Sequence, residues 1–381
     1  MGNIFTNLIP TLYAALDVVS RELVGFIPAV NKDGKGAERA AVDQTVRFGV
    51  VPAMAAGTPT PSATGPDPGD IAIGNDSLTL SKNRSVPFYL EGEETRGLDT
   101  GVGVNNLLKD LVAQALRTLT GEIEADLAVQ HKYASRAYKV SSGNTFDKDD
   151  GIASIAQIRR ILSENGAPNS DMHLVLDTVF AASLRSQGLL VKANEAGSDE
   201  MLRQGKLGRV LAFDLHESGG ISESGSTAAA SYVVDTGGAE VGDTTIPIKT
   251  GTDPISAGDV VLFQDDPNLY VVAASLTGAG NLVINLPGLR IATVADKTLT
   301  FQGVYTPLSA FSRNALTLVT RMPALPPDGD AGDHTILQDP VSGLAFDIAR
   351  YRQYRREAWE VGIVWGVKCT KSEHFVLNLG V

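Results

Sequence analysis

The chain has 381 residues, room for two or three hydrophobic cores, and its 43% hydrophobic and 20% charged residues exclude global disorder. Its 32 basic and 44 acidic side chains leave a formal charge of −12, which excludes tight non-specific DNA binding, since that needs clustered Lys and Arg to displace counterions. Cys369 is the only cysteine, so there is no intrachain disulfide framework, and no apolar run reaches the ~18 residues of a membrane span.

The run Leu8–Val19 is interrupted by Asp17 and has no basic stretch before it, so a secretory signal is not expected. Pro10 to Val24 predicts a short amphipathic helix with Leu12, Leu16, Val19 and Leu23 on one side, ended by Gly25 and Pro28. A helix that short is not stable alone in water and must dock on something. A polar connector, Asn31 to Asp43, leads into β texture from Thr45 to Gly97. Val46, Phe48 and Val50 alternate there, as do Leu78 and Leu80, then Val86, Phe88 and Leu90. Between them Ala53–Asp70 is dense in Pro and Gly (Pro59, Pro61, Pro66, Pro68), the composition of a mobile tip on a two-stranded ribbon.

Val104 to Ser135 is the stretch on which the rest is organised. Val104, Leu107, Leu108, Leu111, Val112, Ala115, Leu119, Ile123 and Leu127 recur at helical spacing and predict one helix of roughly 45 Å, a strut. Asp99 or Thr100 can cap it, and the acidic residues around Gly121 are expected to keep its far face wet.

Asp149 or Asp150 then caps a helix Ile152–Glu164, closed by Gly166 and Pro168. A buried strand Met172–Leu176 and a helix Thr178–Ser186 complete a compact α/β unit. Lys192–Leu207 reads as an exposed loop and Ser218–Ser231 as a linker. Beyond it, Tyr232–Asp235, Thr244–Ile248, Val260–Phe263, Leu269–Ala274, Leu282–Leu286 and Thr298–Phe301 predict a small barrel or sandwich; about 75 residues suffice for such a domain. From Tyr305 strands return at Leu316–Arg321, Leu344–Ala349, Trp359–Cys369 and Phe375–Leu379. These should share a core with the early helix, which makes the small β-domain an insertion in an α+β fold.

No catalytic constellation emerges. Gly101-Val-Gly103 lacks the third glycine of a phosphate-binding turn and reads as a helix entry. Asp147 to Gly151 departs from a calcium loop, with Ile158 where the bidentate acid would stand. Asp328, Asp330, Asp333 and His334 read as a solvated acidic turn, and the five histidines are scattered without metal-ligand spacing, so no metal and no cofactor is expected. Cys369 lies in an alternating strand and reads as a core thiol. The myristoylation pattern at Met1–Thr6 and the glycosylation patterns at Asn75 and Asn83 are short enough to arise by chance. The informative parts are mechanical: extended limbs bury little surface within one chain and must be satisfied between chains.

This order of parts resembles the major capsid (coat) proteins of tailed bacteriophages with the Hong Kong ninety-seven fold, most of all the P-twenty-two type with an inserted β-barrel. The segments that carry it are Leu8–Leu23, similar to the family's N-arm, and Ala310–Thr320 and Ile363–Thr370, similar to its closing segments. The resemblance implies an N-terminal arm (1–44), an extended loop (45–100), a peripheral domain with the spine helix (101–150) and an axial domain (151–224). An inserted barrel (225–303) and a return to both domains (304–381) follow. It implies a shell of hexamers and pentamers enclosing double-stranded DNA without sequence-specific binding, a scaffolding protein, a portal protein, assembly in the bacterial cytoplasm, a place in the virion, and neither enzyme activity nor a membrane. Candidate intersubunit contacts are Leu12, Leu16 and Val19 of the arm, Pro59, Pro61 and Pro66 of the loop tip, and Asp265 and Asp266 of the barrel. The insertion is shorter than the family's, and Gln264–Asn268 is the candidate for its intersubunit loop. The alternatives are a cargo-enclosing nanocompartment shell, which shares the fold class, and a soluble enzyme, which would need titratable groups clustered in a pocket.

Overall fold

The computed structural model describes residues 23–50, 58, 61, 74–93, 104–140, 144–146, 152–187, 208–226, 232–251, 253–339 and 342–381. A short helix, Phe26–Ala29, leads into β1 (Asn31–Lys32), β2 (Arg39–Ala40), β3 (Thr45–Val50), β4 (Gly74–Thr79) and β5 (Lys82–Glu91). The long helix Val104–Ala128 passes through a 3₁₀ turn, Val129–Tyr133, into β6 (Arg136–Tyr138). The helix Ala153–Glu164, β7 (Met172–Leu176), the helix Thr178–Arg185, β8 (Arg209–Val210) and β9 (Phe213–Glu217) come next. The β-domain holds β10 (Tyr232–Val234), β11 (Thr245–Thr250), β12 (Pro254–Ile255), β13 (Val260–Phe263), β14 (Leu269–Val271), β15 (Leu276–Thr277), β16 (Gly280–Val283) and β17 (Thr298–Phe301). The chain ends with β18 (Thr306–Ser312), β19 (Leu316–Pro323), β20 (Gly332–Gln338), β21 (Ala345–Gln353), β22 (Arg356–Cys369) and β23 (Phe375–Gly380).

Two sheets carry the body. In the first, β22 is the central strand: β5 runs antiparallel along it from Lys82 opposite Trp365 to Glu91 opposite Arg356. Its other edge is shared, by β21 along Arg356–Gly362 and by β19 along Val364–Cys369. The alternation of β22 decides its two faces. Trp359, Val361, Ile363 and Trp365 point into the core that also takes Val112, Leu116, Leu119, Ile123 and Leu127 of the long helix. Gly362, Val364 and Gly366 face the other way, and Val364 joins a small cluster with Ala40, Leu78, Leu80 and Val319 at the foot of the β3–β4 ribbon. At Gly366 a Cβ would collide with the Thr79 carbonyl and the Leu78 side chain, so this glycine lets β4 cross the sheet at close range.

The second sheet follows the path β16-β11-β10-β17-β13-β14-β6-β23-β18-β7-β9-β8. One half is the β-domain, which has its own core of Tyr232, Ile246, Ile248, Phe263, Tyr270 and Ile284 among others. The other half belongs to the α/β unit, where Ile155, Ile158 and Leu162 pack with Leu174, Leu176, Phe213 and Leu308. The two halves are joined at β6, which pairs antiparallel with β14 and parallel with β23.

Several expectations are corrected. The long helix keeps α geometry for 25 residues, to Ala128, about 37 Å, not to Ser135. Ser135 instead donates from both its N–H (2.8 Å) and its hydroxyl (2.7 Å) to the Phe375 carbonyl, because the ladder through β6 takes over there. Its far face is not uniformly wet, since Glu124 is only 3% exposed. Of the predicted helix Pro10–Val24 only Leu23 and Val24 are described, and they are not helical; Pro28 sits within a separate short helix, Phe26–Ala29. The supposed acidic turn is half strand, with Asp333 and His334 in β20 opposite Arg350 and Ala349. The first part of the supposed linker is fixed in place, with Ser218 fully buried and Ser224 bridged to Tyr305. The expected caps at Asp99, Thr100, Asp149 and Asp150, the turn Gly101–Gly103 and the loop Lys192–Leu207 lie outside the described residues, as does the Met1–Thr6 pattern.

Candidate assembly elements

The strut is held to the first sheet by more than its apolar stripe. Asp126 accepts hydrogen bonds from the Trp365 indole N–H (2.8 Å) and from Lys82 Nζ (2.7 Å), so one carboxylate ties the helix to β22 and β5. Arg84 of β5 faces Glu122 at 3.4 Å. That second pair is exposed and adds little.

Two residues before Asp126, and so on the other side of the helix, Glu124 secures the N-terminal segment. Its Oε1 accepts from the Ile27 N–H (2.8 Å) and its Oε2 from the Phe26 N–H (3.1 Å) and the Ser218 hydroxyl (2.7 Å). The two amides belong to the first turn of the short helix, where N–H groups lack intrahelical partners. Glu124 is therefore a cap supplied from a different element. Gly25 and Gly220 permit the approach, since a Cβ at either would crowd the Glu217 or the Glu124–Ala125 backbone. Burial pushes the Glu124 carboxyl above its ordinary value, and the hydrogen bonds it accepts pull it back.

The ribbon of β3 and β4 is a two-stranded sheet of its own, in register from Thr45 opposite Thr79 to Val50 opposite Gly74. Lys368 reaches up to it, bonding Asp76 and, at 2.9 Å, the Ser77 carbonyl. Val46 and Phe48 remain half-buried, and Thr45, Arg47, Asn75 and Ser77 are exposed. Between ribbon and body lies a cleft of about 1490 Å³, whose walls include Lys32, Arg47, Tyr133, Asn285, Cys369 and His374. Burial pushes the Cys369 thiol up to about 12, which favours its protonated form at neutral pH. Among the described residues no three His, Cys, Asp or Glu side chains gather to hold a metal ion, and no described helix is long and apolar enough to cross a membrane.

Of the candidate contact residues, Leu12, Leu16, Val19, Pro59 and Pro66 lie outside the described residues, and Pro61 is exposed. The two aspartates proposed together differ. Asp265, at φ 69°, projects from its turn and pairs with Lys297. Asp266 is turned inward, 6% exposed, and accepts from the Asn268 N–H (2.9 Å) and the Tyr270 hydroxyl (2.7 Å). It braces the turn from within.

Sequence reading missed two clusters. Glu124 carries no motif, since its partners are backbone amides far away in the chain. His173 and His216 look scattered but meet across the parallel pair β7–β9, with Nδ1 of one 3.0 Å from Nε2 of the other. Only a strand assignment for Phe213–Glu217 would have brought them together.

No protein-family profile matches the chain, and none of the curated proteins does. Among solved structures it is similar to one titled Mycobacterium phage Che8, at 15% identity over 98% of this chain and 90% of that one, with a TM-score of 0.46. It is similar to the capsid of the cyanophage P-SCSP1u, at 10% identity over 91% and 86% with a TM-score of 0.49. It is also similar to a virus-like particle from Pyrococcus furiosus, at 10% identity over 98% and 99% with a TM-score of 0.44. In its own order of parts (ribbon, long helix, α/β unit, inserted β-domain, closing strands) the chain has the α+β architecture that the Hong Kong ninety-seven coat-protein fold implies.

Proposed function

We propose that this chain is the major capsid protein of a tailed phage, assembling as hexamers and pentamers into an icosahedral shell around double-stranded DNA. The observation that carries the reading is the β3–β4 ribbon, which pairs with no further described strand and is joined to the body by side chains alone, through the cluster on which Val46 and Phe48 pack and through Lys368. Two strands alone are marginal in water. A ribbon with half-buried Val46 and Phe48 and open edges gains stability when a second copy covers it. The role is structural and not catalytic. The acidic balance suits an inner wall that lets packaged DNA slide. A scaffolding protein and a portal protein belong to the same reading, as does a place in the virion after assembly in the host cytoplasm.

Expression of the full chain with and without a candidate scaffold, followed by electron microscopy, tests it. Closed shells whose size depends on the scaffold are expected. Uniform shells formed without any scaffold and loaded through a cargo peptide would point to a nanocompartment instead. Small oligomers under every condition would remove the shell reading altogether.

A further inference from the structure

His173 and His216 stand on the same face of β7 and β9, and their facing nitrogens are 3.0 Å apart. That hydrogen bond needs one ring to accept, so it exists only while at least one imidazole is neutral. His173 is 2% exposed, packed against Phe311, which stacks in turn on Phe26 of the N-terminal segment. Its other nitrogen meets Asp171 Oδ1 at 3.0 Å.

Asp171 is also gripped by Arg313, whose Nε donates to Oδ2 (2.7 Å) and whose second terminal nitrogen donates to Oδ1 (3.2 Å). The remaining arm of the same guanidinium donates to the carbonyls of Pro28 (2.8 Å) and Val30 (3.5 Å). The Phe26–Ala29 helix is thus held at its start by Glu124 and at its end by Arg313. The charged groups that face the two rings are Asp171, Asp214 and Arg313.

We propose that His173, His216, Asp171 and Arg313 form an acid-operated clasp: at neutral pH it fastens the Phe26–Val30 segment to the α/β unit, and charging both rings releases that segment. Two imidazolium rings would face each other donor to donor and repel Arg313, the group that holds the Pro28 and Val30 carbonyls. Both histidines already resist protonation. Burial, then the neighbouring His173, pushes His216 down to about 4, and burial followed by Arg313 lowers His173. The sign follows: with folded values depressed, the contribution is full above the ordinary 6.5 and is lost as pH falls towards about 4. The inference does not depend on the shell reading.

Hydrogen exchange on the full-length chain, corrected for intrinsic rates, tests it. Protection of Phe26–Val30 should fall at least about tenfold between pH 6.5 and pH 4 while that of Val260–Phe263 in the β-domain stays unchanged. In the double variant His173→Gln, His216→Gln this local loss should vanish; should that variant not fold, His216→Gln alone, at the less buried ring, should diminish it. Glu124→Gln should leave its midpoint in place. Unchanged protection in the wild type, simultaneous loss in the β-domain, the same midpoint in the histidine variants, or abolition of the loss by Glu124→Gln would each overturn the proposal.

Discussion

Glu124 shows how one side chain links segments nearly a hundred positions apart. Its carboxylate satisfies two backbone amides and a hydroxyl in a site with little access to water. Glu124→Ala leaves those donors buried and unpaired, so a loss of about 2–4 kcal/mol in chemical denaturation is expected. The pH dependence has the opposite sense to the usual surface carboxylate. Because burial raises this carboxyl above its unfolded value, its contribution is full below that value and declines as pH rises through the folded one. Wild-type stability relative to Glu124→Gln should therefore be greatest in mild acid and decline towards neutrality, measured by urea unfolding across pH. Cys369 provides a second check at this scale: its raised thiol should alkylate far more slowly in the native chain than in denaturant, read by mass spectrometry.

The elements divide by how local their causes are. The apolar stripe of the long helix, the alternation in β22, the strands of the β-domain and the helix Ala153–Glu164 are all written in periodicity, and the structure has each of them. Ile123, a fully buried member of the stripe, fixes the magnitude: Ile123→Ala should cost about 2–5 kcal/mol through lost burial and cavity formation, again by chemical denaturation. Gly366 shows the converse, a position whose meaning lies entirely in what crosses it. Gly366→Ala forces β4 away from β22 and should cost about 1–3 kcal/mol, with raised hydrogen exchange confined first to the ribbon. Elements whose causes are not local escaped the reading. β20 carries Asp333 and His334 and looks like a turn until β21 pairs with it, and the helical spacing runs on past Ala128 because nothing nearby in the chain reveals the pairing of β6 with β23.

For the whole molecule, the decisive contact is the one between the α/β unit and the insertion. Arg136, 1% exposed, donates to Glu164 (2.9 Å), Asn165 (2.9 Å) and the Ile161 carbonyl (3.3 Å) on one side and to Asn268 of the β-domain (3.1 Å) on the other. Replacing it by Met removes charge-assisted bonds that a methionine cannot supply, and a loss of at least about 2 kcal/mol is expected, with thermal unfolding splitting into two transitions as the β-domain uncouples. What this sequence determined by itself is everything that depends on spacing along the chain: an acidic, disulfide-free polypeptide with a long amphipathic strut, a β-ribbon, an α/β unit and a separate run of short strands. Only the tertiary structure decided which carboxylate is buried, which histidines meet, that Asp266 faces inward, and where the strut ends. Those outcomes turn on contacts between residues tens to hundreds of positions apart, and a linear pattern holds no record of which distant donor stands 3 Å from which acceptor.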